Sequence, residues 1–222
     1  MSFDAAQGNL SMRPSERFKE KTGRDALFNL CPLENAASVI QIGLLSHDNA
    51  AKIVHADVSN QVVQLRRESK TVHNGLPLHN YANLYFDYRN PMFYKLCQQN
   101  DPARLAVIAF DCSVLDLPGC VLADRNASSD YASFFAPLEG LEAIRFDLVY
   151  ARYWRDGIDT VEDMEHKAIK NAEALIPDAV PPSFIRGVFV YDEEAKARLA
   201  PYLEEAKIAV RPKIYFQGAR AK

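Results

Sequence analysis

The chain has 222 residues, of which 48% are hydrophobic and 25% are charged, a composition typical of one soluble globular domain. Its net charge of −3, from 26 basic and 29 acidic residues, argues against a dedicated duplex-binding protein but allows a local basic groove for a single strand. No apolar run approaches the roughly 20 residues of a membrane span, and the N-terminus has no signal-peptide core. We therefore expect a cytoplasmic protein without a membrane segment.

Residues 1–24 are polar and irregular, and we expect a flexible N-terminal arm ahead of a single domain over residues 25–222. Residues 26–30 have the apolar content of a short strand. Apolar residues then recur at helical spacing over residues 33–44, where a glycine lies near the predicted helix end. Residues 46–78 are polar and mixed, and such long segments in a compact domain usually serve function or are mobile.

Four further apolar runs have the length and the β-branched or aromatic content of strands: residues 82–86, 105–110, 120–123 and 185–191. Three stretches have helical character: residues 91–99, 160–170 and 193–205. Thr160 is a predicted N-cap of the second helix, in which Val161, Met164 and Ala168 share one face. Strands and helices do not alternate strictly, so the pattern favours an α+β fold over a doubly wound sheet.

The cysteines give no indication of a metal site. Cys31, Cys97, Cys112 and Cys120 are scattered, with no CxxC pair and no histidine at zinc-site spacing, so we expect buried free thiols and no metal. The HxE and PCxxC signature of the zinc base deaminases is also missing from the sequence.

The common nucleotide-site and hydrolase motifs are missing as well: GxGxxG, GxxxxGK[ST], GxSxG and HExxH. With nine glycines in the whole chain, no loop is built to wrap a pyrophosphate with backbone amides alone. A nucleotide cofactor would need charged side chains, and arginine suits this role because its planar fork binds phosphate through two hydrogen bonds.

Five segments stand out when they are considered together. They are residues 29–46 (NLCPLENAASVIQIGLLS), 65–67 (LRR), 78–92 (LHNYANLYFDYRNPM), 124–127 (DRNA) and 172–176 (AEALI). Most have an ordinary explanation by themselves: a capped helix, a solvated arginine pair, or aromatic core positions. Glu173 is the least ordinary, because a carboxylate rarely lies inside an apolar run unless it is paired or functional.

In order, these segments resemble the DarT family of DNA ADP-ribosyltransferase toxins. The family pattern runs HIT…NL..I…GLLS, RR, LHDYV..YF..RNPM and FTDGNA, then YW, a charged helix, AEFL and a VP turn. The matching residues here are Leu78-His79-Asn80-Tyr81, Arg89-Asn90-Pro91-Met92, Tyr153-Trp154, Ala172-Glu173-Ala174-Leu175 and Val180-Pro181. The resemblance covers residues 29–191. It implies an ADP-ribosyltransferase-like split antiparallel β-sheet core with surrounding helices, and NAD⁺ as a substrate bound in the cleft.

The resemblance also implies roles for single residues. Glu173 matches the catalytic glutamate of the family, and Arg66 or Arg67 matches its catalytic arginine, although the spacing does not decide which. The matches to the NAD⁺-binding positions are Asn29, Leu30, Cys31, Ser38 and Ser46. Asn29 stands where the family has His and Cys31 where it has Thr, but an asparagine can still hydrogen-bond a ribose hydroxyl.

Six residues are candidates for contact with a nucleic acid: Tyr81, Arg89, Met92, Arg125, Asn126 and Tyr131. Aromatic rings stack on unpaired bases, and arginines bind phosphate. Arg125 stands where the family has glycine, and we expect it to affect which strand or base is accepted.

The leading hypothesis is transfer of ADP-ribose from NAD⁺ to a base of single-stranded DNA, thymine before guanine. The resemblance implies the toxin of a toxin–antitoxin pair, with a macrodomain antitoxin as its partner. One alternative is modification of RNA or of a protein side chain by the same core. The other is an inactive nucleotide-binding or nucleic-acid-binding module, against which the intact Glu173 and arginine pair argue.

Overall fold

An eight-stranded sheet forms the centre of the protein in a computed structural model that describes residues 12–53, 70–72, 75–154 and 160–216. Its strands are β1 (Ala26–Pro32), β3 (Tyr81–Tyr85), β4 (Leu105–Asp111), β5 (Val121–Ala123), β6 (Phe134–Phe135), β7 (Glu173–Pro177), β9 (Ile185–Val190) and β10 (Ile208–Val210). Two short strands form a separate ladder, β2 (Leu44–Leu45) and β8 (Ala179–Val180). The helices described are α1 (Pro14–Thr22), α2 (Leu33–Ile42), α3 (His47–Ala50), α4 (Pro91–Gln99), α5 (Pro137–Ala143), α6 (Phe146–Val149), α7 (Val161–Ile169) and α8 (Glu193–Leu199).

The sheet is split between its two central strands. The strand order is β10-β9-β4-β1-β3-β7-β5-β6, and every neighbouring pair is antiparallel except β9 and β10. β1 and β4 stay in register along their whole length, whereas β1 and β3 are in register at one pair, Phe28 and Tyr85. We call β10, β9, β4 and β1 the β4 half, and β3, β7, β5 and β6 the β7 half. The expected α+β fold with a split antiparallel core is confirmed.

The two faces of the sheet are covered differently. Alternate residues of both halves pack on one face under helices that include α1, α2 and α8, and they form the main core. The opposite face has two smaller clusters, one around Phe93 of α4 on the β4 half and one around Tyr81 on the β7 half. The paired residues Phe28, Tyr85 and Glu173 form a row across this face. Because directly paired residues point to the same side, the row leads from Phe28 in the Phe93 cluster to Glu173, whose partner Ala123 belongs to the Tyr81 cluster.

Helix α1 belongs to the domain, whereas the sequence predicted a flexible arm over residues 1–24. The Phe18 ring is fully buried and packs against Phe86 and Phe146, with ring centroids 5.7 and 6.0 Å apart. Ser15 donates hydrogen bonds to the Asp116 carboxylate from its backbone N and its Oγ, at 2.8 and 2.6 Å. The prediction is wrong for this helix because a single buried aromatic anchors it, which leaves almost no apolar pattern in the sequence.

Most other predicted elements are present, with two informative differences. Thr160 caps α7 as expected, since its Oγ1 accepts a hydrogen bond from Asp163 N at 3.2 Å. The last helix ends at Leu199 rather than at residue 205, because Pro201 cannot continue it. Strand β7 was not predicted, since the charge of Glu173 interrupts the apolar pattern by which strands are recognised.

Candidate active site

Glu173 is the first residue of β7 and is held between two neighbouring strands. Its backbone is in register with Tyr85 of β3 on one side and with Ala123 of β5 on the other. The side chain has no exposed surface, and its Oε1 accepts a hydrogen bond from the backbone N of Ala127 at 3.1 Å. A buried carboxylate in a fixed orientation is suited to stabilising positive charge that develops on a bound group.

The donor to Glu173 comes from a tight turn over residues 124–130, the Asn126 turn. Asn126 Oδ1 accepts hydrogen bonds from the backbone N and the Oγ of Ser128, at 2.9 and 2.6 Å. The backbone N of Asn126 donates to Ala168 O of α7 at 3.1 Å. These bonds fix the backbone on both sides of Ala127, which is fully buried, so the turn positions the group that orients the carboxylate.

The other predicted contacts with the cofactor begin where the sheet splits. Asn29 follows Phe28 in β1, two strands away from Glu173, so the two backbones are roughly 10 Å apart. Asn29 Nδ2 donates to Asn83 O of β3 at 3.3 Å and so bridges the split where the backbones are no longer in register. The Leu30 side chain packs with the Phe93 cluster, on the opposite side of β1 from Asn29 and Cys31.

A small cavity of about 120 Å³ lies beside α2. Among its lining residues are three of the predicted positions, Asn29, Cys31 and Ser38. Burial raises the pKa of the Cys31 thiol to about 12, so this side chain is a neutral group at the cavity wall. Gly43 also lines the cavity with a φ of +95°, and a Cβ at this position would clash with the carbonyl O of Val180. Only glycine therefore allows β2 to pair with β8 at this point.

Ser46 is not among the described residues that line this cavity. Ser46 is 1% exposed and caps α3, where its Oγ accepts a hydrogen bond from Asn49 N at 3.4 Å. Arg66 and Arg67 lie outside the described residues. Lys70, which follows them, forms an ion pair with Asp130 at 3.1 Å and donates to Ser129 O, so its end of the segment touches the Asn126 turn.

The six residues predicted to contact nucleic acid lie in three different environments. Tyr81 is 2% exposed within a small apolar cluster, so the structure places it in the core. Arg89 and Met92 flank the start of α4 and are partly exposed. Arg125 forms an ion pair with its neighbour Asp124 at 3.2 Å. The two remaining residues belong to the stretch that follows: Asn126 stabilises its turn, and the Tyr131 ring is 82% exposed.

Lys170 is a buried cation that the sequence analysis did not identify. Its side chain is fully buried, and Nζ donates hydrogen bonds to the carbonyl oxygens of Val149 and Ala151, both at 2.7 Å. The Asp87 carboxylate lies 3.6 Å from the same ammonium. Burial lowers the pKa of Lys170, and the negative charge of Asp87 opposes that effect. A lysine after a charged helix predicts a solvated residue, so no signal in the sequence marked this contact.

Metal-ligating clusters and apolar helices can be described over residues 12–53, 70–72, 75–154 and 160–216. Within those ranges, no group of three histidine, cysteine, aspartate or glutamate side chains is arranged to hold a metal ion. None of the helices in the same ranges combines the length and the apolar character needed to cross a bilayer.

Comparison with known proteins agrees with this arrangement. A sequence model of the family described as "ssDNA thymidine ADP-ribosyltransferase, DarT" matches residues 28–216. The chain is 28% identical over 201 residues to a DNA ADP-ribosyl transferase–DNA ADP-ribosyl glycohydrolase fusion protein of Thermosipho africanus. That match covers 88% of the chain and 48% of the fusion protein, so the chain spans about half the length of this relative. A DNA ADP-ribosyl transferase of Thermus sp. strain 2.9 is 24% identical over 197 residues, which cover 85% of the chain and 91% of the relative.

Solved structures show the same fold. The structure of Thermus sp. 2.9 DarT in complex with ADP-ribosylated ssDNA superimposes with a TM-score of 0.75 at 22% identity, covering 89% of this chain and 97% of that one. The same Thermus protein in complex with NAD⁺ gives a TM-score of 0.69 at 20% identity, over 86% and 97% of the two chains. Because the family model extends over most of the sequence, the chain belongs to the DarT family of ADP-ribosyltransferases.

Proposed function

We propose that this protein transfers ADP-ribose from NAD⁺ to thymine in single-stranded DNA, in the cytoplasm, as the toxin of a toxin–antitoxin pair. The observation that carries the proposal is the state of Glu173. This carboxylate is fully buried, is oriented by Ala127 N at 3.1 Å, and lies beside the Tyr81 cluster, on the strand next to the split in the sheet. It also occupies the position that matches the catalytic glutamate of the family.

The chemistry requires few protein groups. The bond between nicotinamide and ribose is glycosidic, and its transition state resembles an oxocarbenium ion. Nicotinamide leaves with the bonding electron pair as a neutral molecule, so no general acid is needed. The Glu173 carboxylate holds the ribose 2′-hydroxyl and stabilises the positive charge, an effect that burial strengthens. A nitrogen on the Watson–Crick edge of the base then bonds to C1′, and its proton passes to water.

The cavity beside α2 is the proposed site for part of the NAD⁺ molecule. Its volume of about 120 Å³ is below the roughly 300–1,000 Å³ of complete small-molecule pockets, so the remainder of NAD⁺ extends outside it. In this proposal NAD⁺ passes through the split between β1 and β3, so that the nicotinamide ribose reaches Asn29 and the backbone of Leu30 on the α2 side and Glu173 on the opposite side. Arg66 or Arg67 binds the diphosphate and lowers the pKa of the acceptor base.

Two relatives support the proposed substrate and partner. The Thermus protein is in complex with ADP-ribosylated ssDNA, which supports single-stranded DNA as the acceptor. The Thermosipho protein joins a DNA ADP-ribosyl transferase to a DNA ADP-ribosyl glycohydrolase in one chain. For the present protein, this supports a separate or fused macrodomain-type antitoxin that removes ADP-ribose from the modified base.

Replacement of Glu173 tests the proposal directly. The variant Glu173→Gln keeps the shape and the acceptor for Ala127 N but removes the charge, so we expect it to fold and to bind NAD⁺. Transfer to single-stranded DNA, followed by mass spectrometry, should fall by at least about a hundredfold. Glu162→Gln is the control, because Glu162 is an exposed glutamate on α7. Transfer by Glu173→Gln within a few-fold of wild type would contradict the assignment of Glu173 as the catalytic carboxylate.

The form of the acceptor provides a second test. A base inside a duplex is shielded on its Watson–Crick edge, and its extraction costs a few kcal/mol. We therefore expect labelling of a single strand and almost none after annealing to its complement. Replacing every thymine in the strand should abolish labelling. Loss on replacing guanine instead would change the proposed base, and labelling of RNA or of lysate protein alone would replace the proposed substrate class.

A further inference from the structure

A second and larger cavity lies on the opposite side of the molecule's central strands from α2, at the start of α4. It measures about 520 Å³, and we call it the cationic groove, defined by Arg89, Tyr94, Arg152, Trp154, Lys167 and Phe216. None of these residues lines the cavity beside α2. The volume falls within the roughly 300–1,000 Å³ of ligand pockets and is sufficient for about one nucleotide.

The aromatic rings of the groove form a mutually supported triangle. Tyr94, Trp154 and Phe216 meet edge to face, with centroids 5.4 to 6.2 Å apart and interplanar angles of 75° to 81°. Each contact sets the edge of one ring against the face of another, and Lys170 Nζ lies over the Trp154 ring at 5.8 Å, but Trp154 remains partly exposed. Tyr94 is 46% exposed and the neighbouring Tyr153 is 63% exposed, so flat apolar surface remains open to a planar partner.

The described charged residues that line the groove are all cationic. They are Arg89, Arg152 and Lys167, and none of the described lining residues is a carboxylate. The Arg89 guanidinium lies over the Phe216 ring at 4.9 Å, and its Nε donates to Arg152 O at 3.5 Å, so it is held within the groove. Within the described residues, neither Arg89 nor Arg152 nor Lys167 forms an ion pair, in contrast to Arg125 or Arg186. This concentration of positive charge is unusual in a chain with a net charge of −3.

The groove is connected to the catalytic carboxylate through short structural links. Asn171, two residues before Glu173, accepts a hydrogen bond from the backbone N of Met92 at 3.3 Å through its Oδ1. This bond joins the start of α4, on one wall of the groove, to the start of β7. Lys170 holds the segment that carries Arg152 through its bond to Ala151 O. These hydrogen bonds hold the walls of the groove in a defined position relative to Glu173.

We propose that the cationic groove binds the nucleotides that flank the reacting base, with phosphates at Arg152 and Lys167 and a base stacked on Trp154. The inference rests on the proposed function. A single strand offers a phosphate and an unpaired base face within one nucleotide spacing, which matches the combination of cations and partly exposed rings. A duplex would present phosphates alone.

Trp154 makes the proposal directly measurable, because it is the one tryptophan of the chain. Titration of the wild-type protein with a single strand of about fifteen nucleotides, without NAD⁺ so that no transfer occurs, should quench its fluorescence. A strand of the same length with abasic sites around the thymine should leave the fluorescence unchanged, since phosphates alone do not stack. Quenching of equal size by the abasic strand would overturn the stacking role of Trp154.

Charge removal provides the second arm. The double variant Arg152→Gln/Lys167→Gln changes partly or fully exposed side chains, and Arg145→Gln is its control, an exposed arginine outside the groove that pairs with Asp147. We expect the Kd for the strand of about fifteen nucleotides to rise about tenfold. The slope of log Kd against log salt concentration should fall by about 0.7 for each lost phosphate contact. The Kd for NAD⁺ should stay unchanged.

The outcomes separate this proposal from the proposed function. If wild type and the double variant bind and label the strand of about fifteen nucleotides equally, the groove is not a binding site, but the proposed ADP-ribosyl transfer to DNA is unaffected. If the variant instead loses NAD⁺ affinity with unchanged DNA affinity, the groove belongs to the adenine end of NAD⁺ and the proposal fails. A wild-type protein that labels no strand overturns the function and the groove together.

Discussion

The two halves of the sheet differ in how they are held together and in what they carry. In the β4 half, β1 and β4 pair along seven residues and are apolar on both faces. In the β7 half, the strands are shorter, and the central strand begins with a buried carboxylate that depends on a turn for its orientation. The first arrangement gives stability, and the second gives a polar site with defined geometry. Changes in the two halves should therefore separate stability from activity.

The largest expected effect on stability comes from the β4 half. Phe110 of β4 is fully buried in the main core, and Phe110→Ala removes a large apolar surface and leaves a cavity. We expect the free energy of unfolding, measured with urea, to fall by about 3–5 kcal/mol. The kcat of the protein that remains folded should stay within about twofold of wild type. A large loss of kcat in the folded protein would show that packing in the β4 half also determines the geometry of the site around Glu173.

An intermediate effect should come from the Asn126 turn. Asn126→Ala removes the acceptor for Ser128 N and Oγ, so Ala127 N is held less firmly against Glu173. We expect kcat to fall about tenfold and the Kd for DNA to stay unchanged. The free energy of unfolding should fall by about 1 kcal/mol. Asn100→Ala, which removes a hydrogen bond to Leu96 O at 3.0 Å beside the β4 half, should leave kcat unchanged. Weaker DNA binding with normal kcat would instead make Asn126 a nucleic-acid contact.

The smallest expected effect concerns α1. Besides the buried Phe18 ring, ion pairs of Arg17 and Lys21 with Glu142 attach this helix to α5. Hydrogen bonds from Arg17 and Lys21 lower the pKa of Glu142 from 4.5 to about 2. A carboxyl with a lowered pKa contributes stability above its unfolded pKa and loses that contribution as the pH falls toward the folded value. Glu142→Gln should therefore lower Tm slightly at neutral pH, and the difference should disappear between pH 4.5 and about 2. A difference independent of pH would mean that the ion pairs do not contribute.

The comparison of the halves also explains what the sequence could predict. Strands β1, β4 and β9 are buried on both faces, so their continuous apolar runs were recognised, and α4 was recognised from its periodicity and confirmed by the Asn90 cap. Glu173 was singled out as a candidate because it interrupts an apolar run, and the same interruption concealed strand β7. Tyr81 was assigned to nucleic-acid binding although it is core, since an aromatic residue suits both roles. The buried state of Lys170 depends on residues 149 to 151, which no local pattern connects to it.

The order of the strands has a consequence for folding. Glu173 takes its position only when β7 inserts between β3 and β5, and its two partners, Tyr85 and Ala123, lie at least fifty residues earlier in the chain. Contacts of such large sequence separation form slowly, because the intervening chain loses conformational entropy before the strand pairing contributes favourable free energy. No short fragment of the chain can hold this carboxylate in place. A newly made molecule therefore stays inert until its sheet is almost complete.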